Sequence, residues 1–174
     1  MKTLVSGIIL ATLSATTAFA HISLETAEAP VGSTYKAVLR VPHGCEGAAT
    51  TSIRVQIPEG VIVAKPMPKP GWTLKTVKGA FAKSYDYYGT PTTEGVKEVE
   101  WSGGDLPDDF YDEFVIRLSL AADLAAGSIL HLPVIQQCGT ASDAWIEIPE
   151  AGQSEDDLKL PAPALTLLPA KAGH

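Results

Sequence analysis

An all-β antiparallel sandwich is the fold class this sequence predicts, and three observations predict it. Short apolar runs with period-two alternation recur along most of the chain, and β-branched residues are common in them. Turn chemistry separates the runs: Pro58-Glu59-Gly60, Pro70-Gly71, Gly89-Thr90-Pro91 and Gly103-Gly104-Asp105. Only Ala121 to Ala126 reads as briefly helical, and Gly127 stops it. Seven or more short strands at such spacing pack most readily as two antiparallel sheets.

Taken in order, the first run is Tyr35, Ala37, Leu39 and Val41, alternating with polar or basic neighbours. Ile53, Val55 and Ile57 form the second, and Trp72, Leu74 and Val77 a looser third. Val96, Val99 and Trp101 mark a fourth, followed by Phe114, Ile116, Leu118 and Leu120. Ile129 to Ile135 and Trp145-Ile146-Glu147-Ile148 complete the set. From about Glu150 the chain turns acidic and then Pro/Ala-rich, which reads as an extended tail along the body or a disordered one.

The N-terminus carries an export signature. Met1-Lys2-Thr3 is basic, Leu4 to Ala18 is mostly apolar or small, and Ala18-Phe19-Ala20 is a signal-peptidase pattern. The expected division is a removed signal over 1–20, a β-sandwich over 21–150 and a tail over 151–174. Cleavage leaves 154 residues, enough for one domain with a sizeable core, with His21 at the new N-terminus. Twenty acids then face 12 bases, a formal charge of −8. That balance argues against nucleic acid and against docking on anionic lipid. No later stretch has the ~18 consecutive apolar residues of a membrane span. The expected location is periplasmic or secreted. In an oxidising compartment Cys45 and Cys138 most simply form one disulfide, with a pair of thiolate metal ligands as the competing reading.

An N-terminal histidine presents an α-amine and ring Nδ1 on one residue, and the two can close a chelate ring on one metal ion. Copper(II) accepts such nitrogen donors, with oxygen, in a tetragonal plane. The amine must first lose its proton, from a reference pKa of about 8. A carboxylate would offset the ion's charge. Glu46 neighbours Cys45, so a disulfide would hold its loop still. Glu25 is closer in sequence, but by strand rise it lies about 13 Å along from residue 21. His43 reads either as a second imidazole or as a loop histidine bonded to backbone. His131 alternates with leucines as an ordinary strand residue. Trp72, Trp101 and Trp145 compete to shield a metal, and periodicity does not choose among them. The acids from Asp105 to Glu113 lack calcium-loop spacing. Tyr85-Asp-Tyr-Tyr88 reads as either a sugar-binding aromatic face or ordinary strand aromatics. No catalytic Ser/His/Asp motif, Walker loop or His-Glu-x-x-His is present.

Several segments together resemble the YcnI-like copper-binding proteins: Ala20-His21-Ile22-Ser23, Ala29-Pro-Val-Gly-Ser33, Val41-Pro-His-Gly-Cys45, Thr50-Thr51, Pro58-Glu-Gly-Val-Ile62, Lys65-Pro-Met-Pro-Lys-Pro-Gly-Trp72, Tyr85-Asp-Tyr-Tyr-Gly89, Trp101-Ser-Gly-Gly104 and Trp145-Ile-Glu-Ile-Pro149. They span nearly all of residues 21–150. The resemblance implies a cupredoxin-like/immunoglobulin-like sandwich and one Cu(II) in a monohistidine brace. In that brace His21 chelates, Glu46 adds a carboxylate and Trp145 lies against the site, with His43 a candidate extra ligand. The Cys45–Cys138 pair and the lack of a C-terminal membrane helix set this chain apart from some members.

The expected role is non-enzymatic: a periplasmic copper(II)-binding chaperone or buffer. Its partner would be another periplasmic copper chaperone or a membrane copper transporter. The alternatives are a copper-dependent oxidative enzyme of the polysaccharide-monooxygenase kind, needing His43 or His131 as second imidazole, and a metal-free secreted interaction module.

Overall fold

The structure is a computed structural model that describes residues 21–171, so the expected signal peptide and its cleavage site lie outside the described residues. Among the described residues there are twelve strands: β1 Ser23–Leu24, β2 Glu28–Pro30, β3 Thr34–Val41, β4 Thr50–Gln56, β5 Val61–Pro66, β6 Thr73–Tyr87, β7 Thr90–Leu106, β8 Asp112–Leu120, β9 Ile129–His131, β10 Val134–Cys138, β11 Ala141–Trp145 and β12 Ala164–Leu168. They form a four-stranded sheet β1-β3-β8-β5, a five-stranded sheet β11-β10-β4-β7-β6 and a three-stranded sheet β2-β12-β9. All pairings are antiparallel except β12 with β2. The all-β antiparallel sandwich expected from the alternation is what the chain forms.

The period-two runs supply the core. Ala37, Leu39 and Val41 from β3, Ile53 and Val55 from β4, Val99 and Trp101 from β7, and Ile116 and Leu118 from β8 are wholly buried. In β4 and β7 their alternate neighbours are exposed or half-buried, whereas Val38 of β3 and Val115 and Ser119 of β8 are buried on the other face as well. Trp101 and Trp72 both meet Phe114 edge-on, at 5.4 and 5.0 Å between ring centroids. Indole N–H of Trp101 donates to the Met67 carbonyl at 3.0 Å, satisfying the buried donor.

Three local expectations change. Ala121 to Ala126 forms turns rather than a helix; six residues are too few to nucleate one without a packed face. The chain does not break at Gly103-Gly104-Asp105, because β7 continues to Leu106 with a register shift opposite Thr50 and Ser52. Trp72 explains the glycine there: a Cβ on Gly104 would sit 2.0 Å from its indole Cε2. The 151–174 segment also contributes a strand. β12 pairs with β2 and β9, and Leu165 and Leu167 are wholly buried. Its Leu-x-Leu alternation carries the burial, inside a composition that otherwise reads as tail. β5 is an edge strand that the sequence pattern does not single out. No helix among the described residues is long and apolar enough to cross a membrane.

Candidate functional site

The pole of the sandwich where β3 ends gathers the residues of interest. Buried Ile22 anchors the incoming chain, and β1 pairs with β3 through Ser23 opposite Arg40 and Leu24 opposite Leu39. The Arg40 guanidinium donates to Ser23 Oγ at 3.1 Å and to the Leu24 carbonyl at 3.3 Å, clamping the segment. Continuing this antiparallel register sets His21 level with Pro42, one residue from His43.

Trp145, at the end of β11, is the indole that meets both imidazoles. Its ring lies 5.7 Å from the His21 ring and 6.4 Å from the His43 ring, centroid to centroid. Trp101 and Trp72 belong to the core packing around Phe114. A single buried side chain orients the cluster. Gln136 accepts from the Trp145 indole N–H at 2.9 Å through Oε1, and its Nε2 donates to the His43 carbonyl at 2.7 Å and to Thr50 Oγ1 at 2.8 Å. Strand parity could have found it, since Gln136 shares a face with buried Val134 and Cys138. The His43 ring bonds the Gly44 carbonyl through Nδ1. A carbonyl only accepts, so Nδ1 is the donor in this contact.

Cys45 and Cys138 form the disulfide, with Cα atoms 5.7 Å apart and a sequence separation of 93. That pairing removes both thiolates as ligands. It also joins the His43–Glu46 loop to the end of β10, which leads into Trp145. Beyond Cys45 the chain reverses in a tight turn: the Cys45 N–H donates to the Ala48 carbonyl at 3.1 Å, and the Ala48 N–H to the Cys45 carbonyl at 2.9 Å. The central residues Glu46 and Gly47 both have positive φ, 50° and 86°. Gly44 must be glycine, because a Cβ there would lie 1.9 Å from the Ala48 carbonyl oxygen. Its N–H donates to Asp108 Oδ1 at 2.9 Å, tying in the β7–β8 loop.

The carboxylates are arranged differently from the nitrogens. Glu46 projects exposed from its turn tip. The acid lining the cleft beside His21 is Glu155, from a short 3-10 turn over Glu155–Asp157, together with Pro161 and Ala162. Sequence reading passed over it as part of the acidic tail. Among the described residues, no group of three or more His, Cys, Asp or Glu converges tightly enough to hold a metal. His131, in β9, makes no ring contact with Trp145; it lines a neighbouring cleft with Pro149, Glu150 and Glu155. The two imidazoles therefore share Trp145 as neighbour, and Glu155 lines the cleft beside His21.

Fold and site together define a disulfide-bridged, immunoglobulin-like β-sandwich with an imidazole–indole cluster at one pole. The chain belongs to the family described as Domain of unknown function (DUF1775), which matches residues 21–167. It is also similar to a protein whose crystal structure is described as that of an uncharacterized protein from Nocardia farcinica revealing an immunoglobulin-like fold. The two are 27% identical with a TM-score of 0.61, over 85% of this chain and 98% of that one. No curated protein matches the chain.

Proposed function

We propose that this protein is a YcnI-like, periplasmic copper(II)-binding protein that buffers or delivers the metal without turning over a substrate. One observation carries the reading. The residue that export would make N-terminal, His21, lies against buried Trp145, whose ring also meets His43, so an amine and two imidazoles would be carried at one pole. Cu(II) is the borderline ion that imidazole and amine donors suit best. His21 would supply the α-amine and Nδ1. His43 would supply Nε2, its other nitrogen being held by the Gly44 carbonyl in the manner usual for ligating histidines. Glu46, on its disulfide-braced turn, would supply the carboxylate and neutralise part of the charge. The Trp145 face would exclude water from one side of the ion and favour the cation through its π system. Delivery would go to another periplasmic copper chaperone or to a membrane copper transporter, by ligand exchange at the exposed side.

The test compares protein beginning at His21 with protein carrying one additional N-terminal alanine, by Cu(II) titration and electron paramagnetic resonance. Tight one-to-one binding that is lost on extension is the expected result, since the amide replaces the amine. Equal binding by both forms would overturn the brace. Glu46→Gln should weaken binding less and change the Cu(II) spectrum; an unchanged spectrum removes Glu46 from the ligand set. The nearness of His43 favours one second reading, a two-imidazole copper enzyme acting oxidatively on polysaccharide. Peroxide-dependent polysaccharide cleavage by the copper-loaded protein would establish that reading in place of the first.

A further inference from the structure

The opposite pole of the sandwich holds a second concavity, about 220 Å³ in volume, bounded by Ser33, Thr34, Asp86, Tyr87, Tyr88 and Ser119. It opens at the start of β3, whereas the His43 loop follows the end of that strand, about 23 Å away by strand rise. We infer that this cleft binds a neutral, hydroxyl-rich saccharide, one pyranose ring stacking on Tyr88.

Four features support this assignment. Tyr88 is 86% exposed, an unusual position for a phenol ring at a rigid turn. It occupies the first central position of the two-residue β6–β7 hairpin with φ of 52°, followed by Gly89 at 79°. Asn, Asp or Gly would sit there unstrained; a tyrosine costs backbone energy to hold its ring at the tip. The ring is also braced. Tyr87 meets it edge-on at 4.8 Å, and Tyr87 packs on a small separate core of Ile62, Phe81, Tyr85 and Ala121. A platform held in place before binding loses little entropy when a ligand arrives.

The polar lining matches hydroxyl groups. Asp86 Oδ1 accepts from the Gly89 N–H at 3.2 Å, and a carboxylate has further lone pairs for ligand hydroxyls. Ser33 Oγ donates to the Pro30 carbonyl at 2.7 Å, which fixes it as an acceptor toward the cleft. A pyranose offers an apolar C–H face for the ring and hydroxyls at its rim, the division of polarity that this wall presents. The acidic lining and the chain's net charge of −7 disfavour phosphate-bearing or other anionic ligands.

The inference is independent of metal binding, and a two-dimensional amide NMR titration with chitotetraose and cellotetraose tests it. At least one oligosaccharide should shift the Ser33, Asp86, Tyr87 and Tyr88 resonances. Tyr88→Asn removes the ring while placing at positive φ a residue that tolerates it. Its Tm should match or exceed that of the parent, and its saccharide affinity should fall roughly fivefold or more. Asp86→Asn should weaken binding, whereas His21→Ala should leave it unchanged. The inference is overturned if neither oligosaccharide shifts these resonances, if Tyr88→Asn binds like the parent, or if His21→Ala abolishes the shifts.

Discussion

With none of its surface exposed, the Gln136 amide must find every partner inside the protein, and it finds three: the Trp145 indole, the His43 carbonyl and Thr50 Oγ1. Replacing it by leucine keeps the volume but strands an indole N–H and a backbone carbonyl in a dry environment. We expect Gln136→Leu to lose about 2–4 kcal/mol in urea unfolding. Trp145 fluorescence should shift as the ring loses its anchor, and a variant as stable as the parent would show that water replaces the amide. Gly104 presents a different constraint, steric rather than polar. Gly104→Ala forces a methyl group into the Trp72 indole, 2.0 Å from Cε2, so a loss of about 1–3 kcal/mol is expected by thermal unfolding. At this scale the sequence revealed residue types but not encounters. His21 and Cys45 were conspicuous as the residue after a signal-peptidase pattern and as one of only two cysteines. Gln136 sat unremarked in a strand: parity with Val134 and Cys138 marks its face as buried, but nothing local names the Trp145 indole and the His43 loop as its partners.

Individual elements depend on a few side chains. In β12, Leu165 and Leu167 bury completely between β2 and β9. Leu165→Ala should therefore cost about 2–5 kcal/mol, a core value; a change below about 0.5 kcal/mol in the urea midpoint would mean that β12 contributes only surface contacts. The β4–β5 turn is fastened to the long hairpin by Glu59. Burial alone would raise its carboxyl pKa, but hydrogen bonds from Lys97, Tyr85 and the Ala82 N–H outweigh that and hold it below the usual carboxylate value of 4.5. The same contacts push the Tyr85 phenol up to about 12, desolvation first and the Glu59 hydrogen bond next. A carboxylate whose folded pKa is depressed stabilises fully above its unfolded pKa, and that contribution fades as pH falls through the folded value. Glu59→Gln should thus melt below the parent at neutral pH, by no more than about 1 kcal/mol for a side chain 38% exposed. The two melting curves should converge in acid; a gap constant with pH would show that charge plays no part. Strand periodicity read most of the elements correctly. It missed the short β1 and β2, β5 at an edge and β12 in a Pro/Ala-rich context, and it put a strand over 145–148 where β11 is Ala141–Trp145 and Ile146 and Ile148 are exposed. In these places pairing partners rather than local pattern decide strand formation.

For the whole molecule, the Cys45–Cys138 bridge links the two regions that carry the nitrogen donors and the indole. Closing so long a loop stabilises by roughly 4–5 kcal/mol in the chain-entropy model, and about 2–4 in common experience. Cys45→Ala/Cys138→Ala should unfold at lower denaturant by that order. For the proposed copper site, Cu(II) affinity should fall as well, because the Glu46 turn and Trp145 lose their shared tether; unaltered affinity in a folded double variant would assign the bridge to stability alone. By itself the sequence determined the sandwich, through alternation that only buried sheet faces explain. It also made the disulfide the simplest reading, since two cysteines have one intramolecular pairing, and the structure forms it. Only the tertiary structure decided which tryptophan faces His21 and His43, and which acid lines the cleft beside His21. It alone put the tyrosine-rich hairpin at the far pole. Alternation records which face of a strand is buried, whereas proximity between loops depends on sheet order and register, and those are set by packing across the whole molecule.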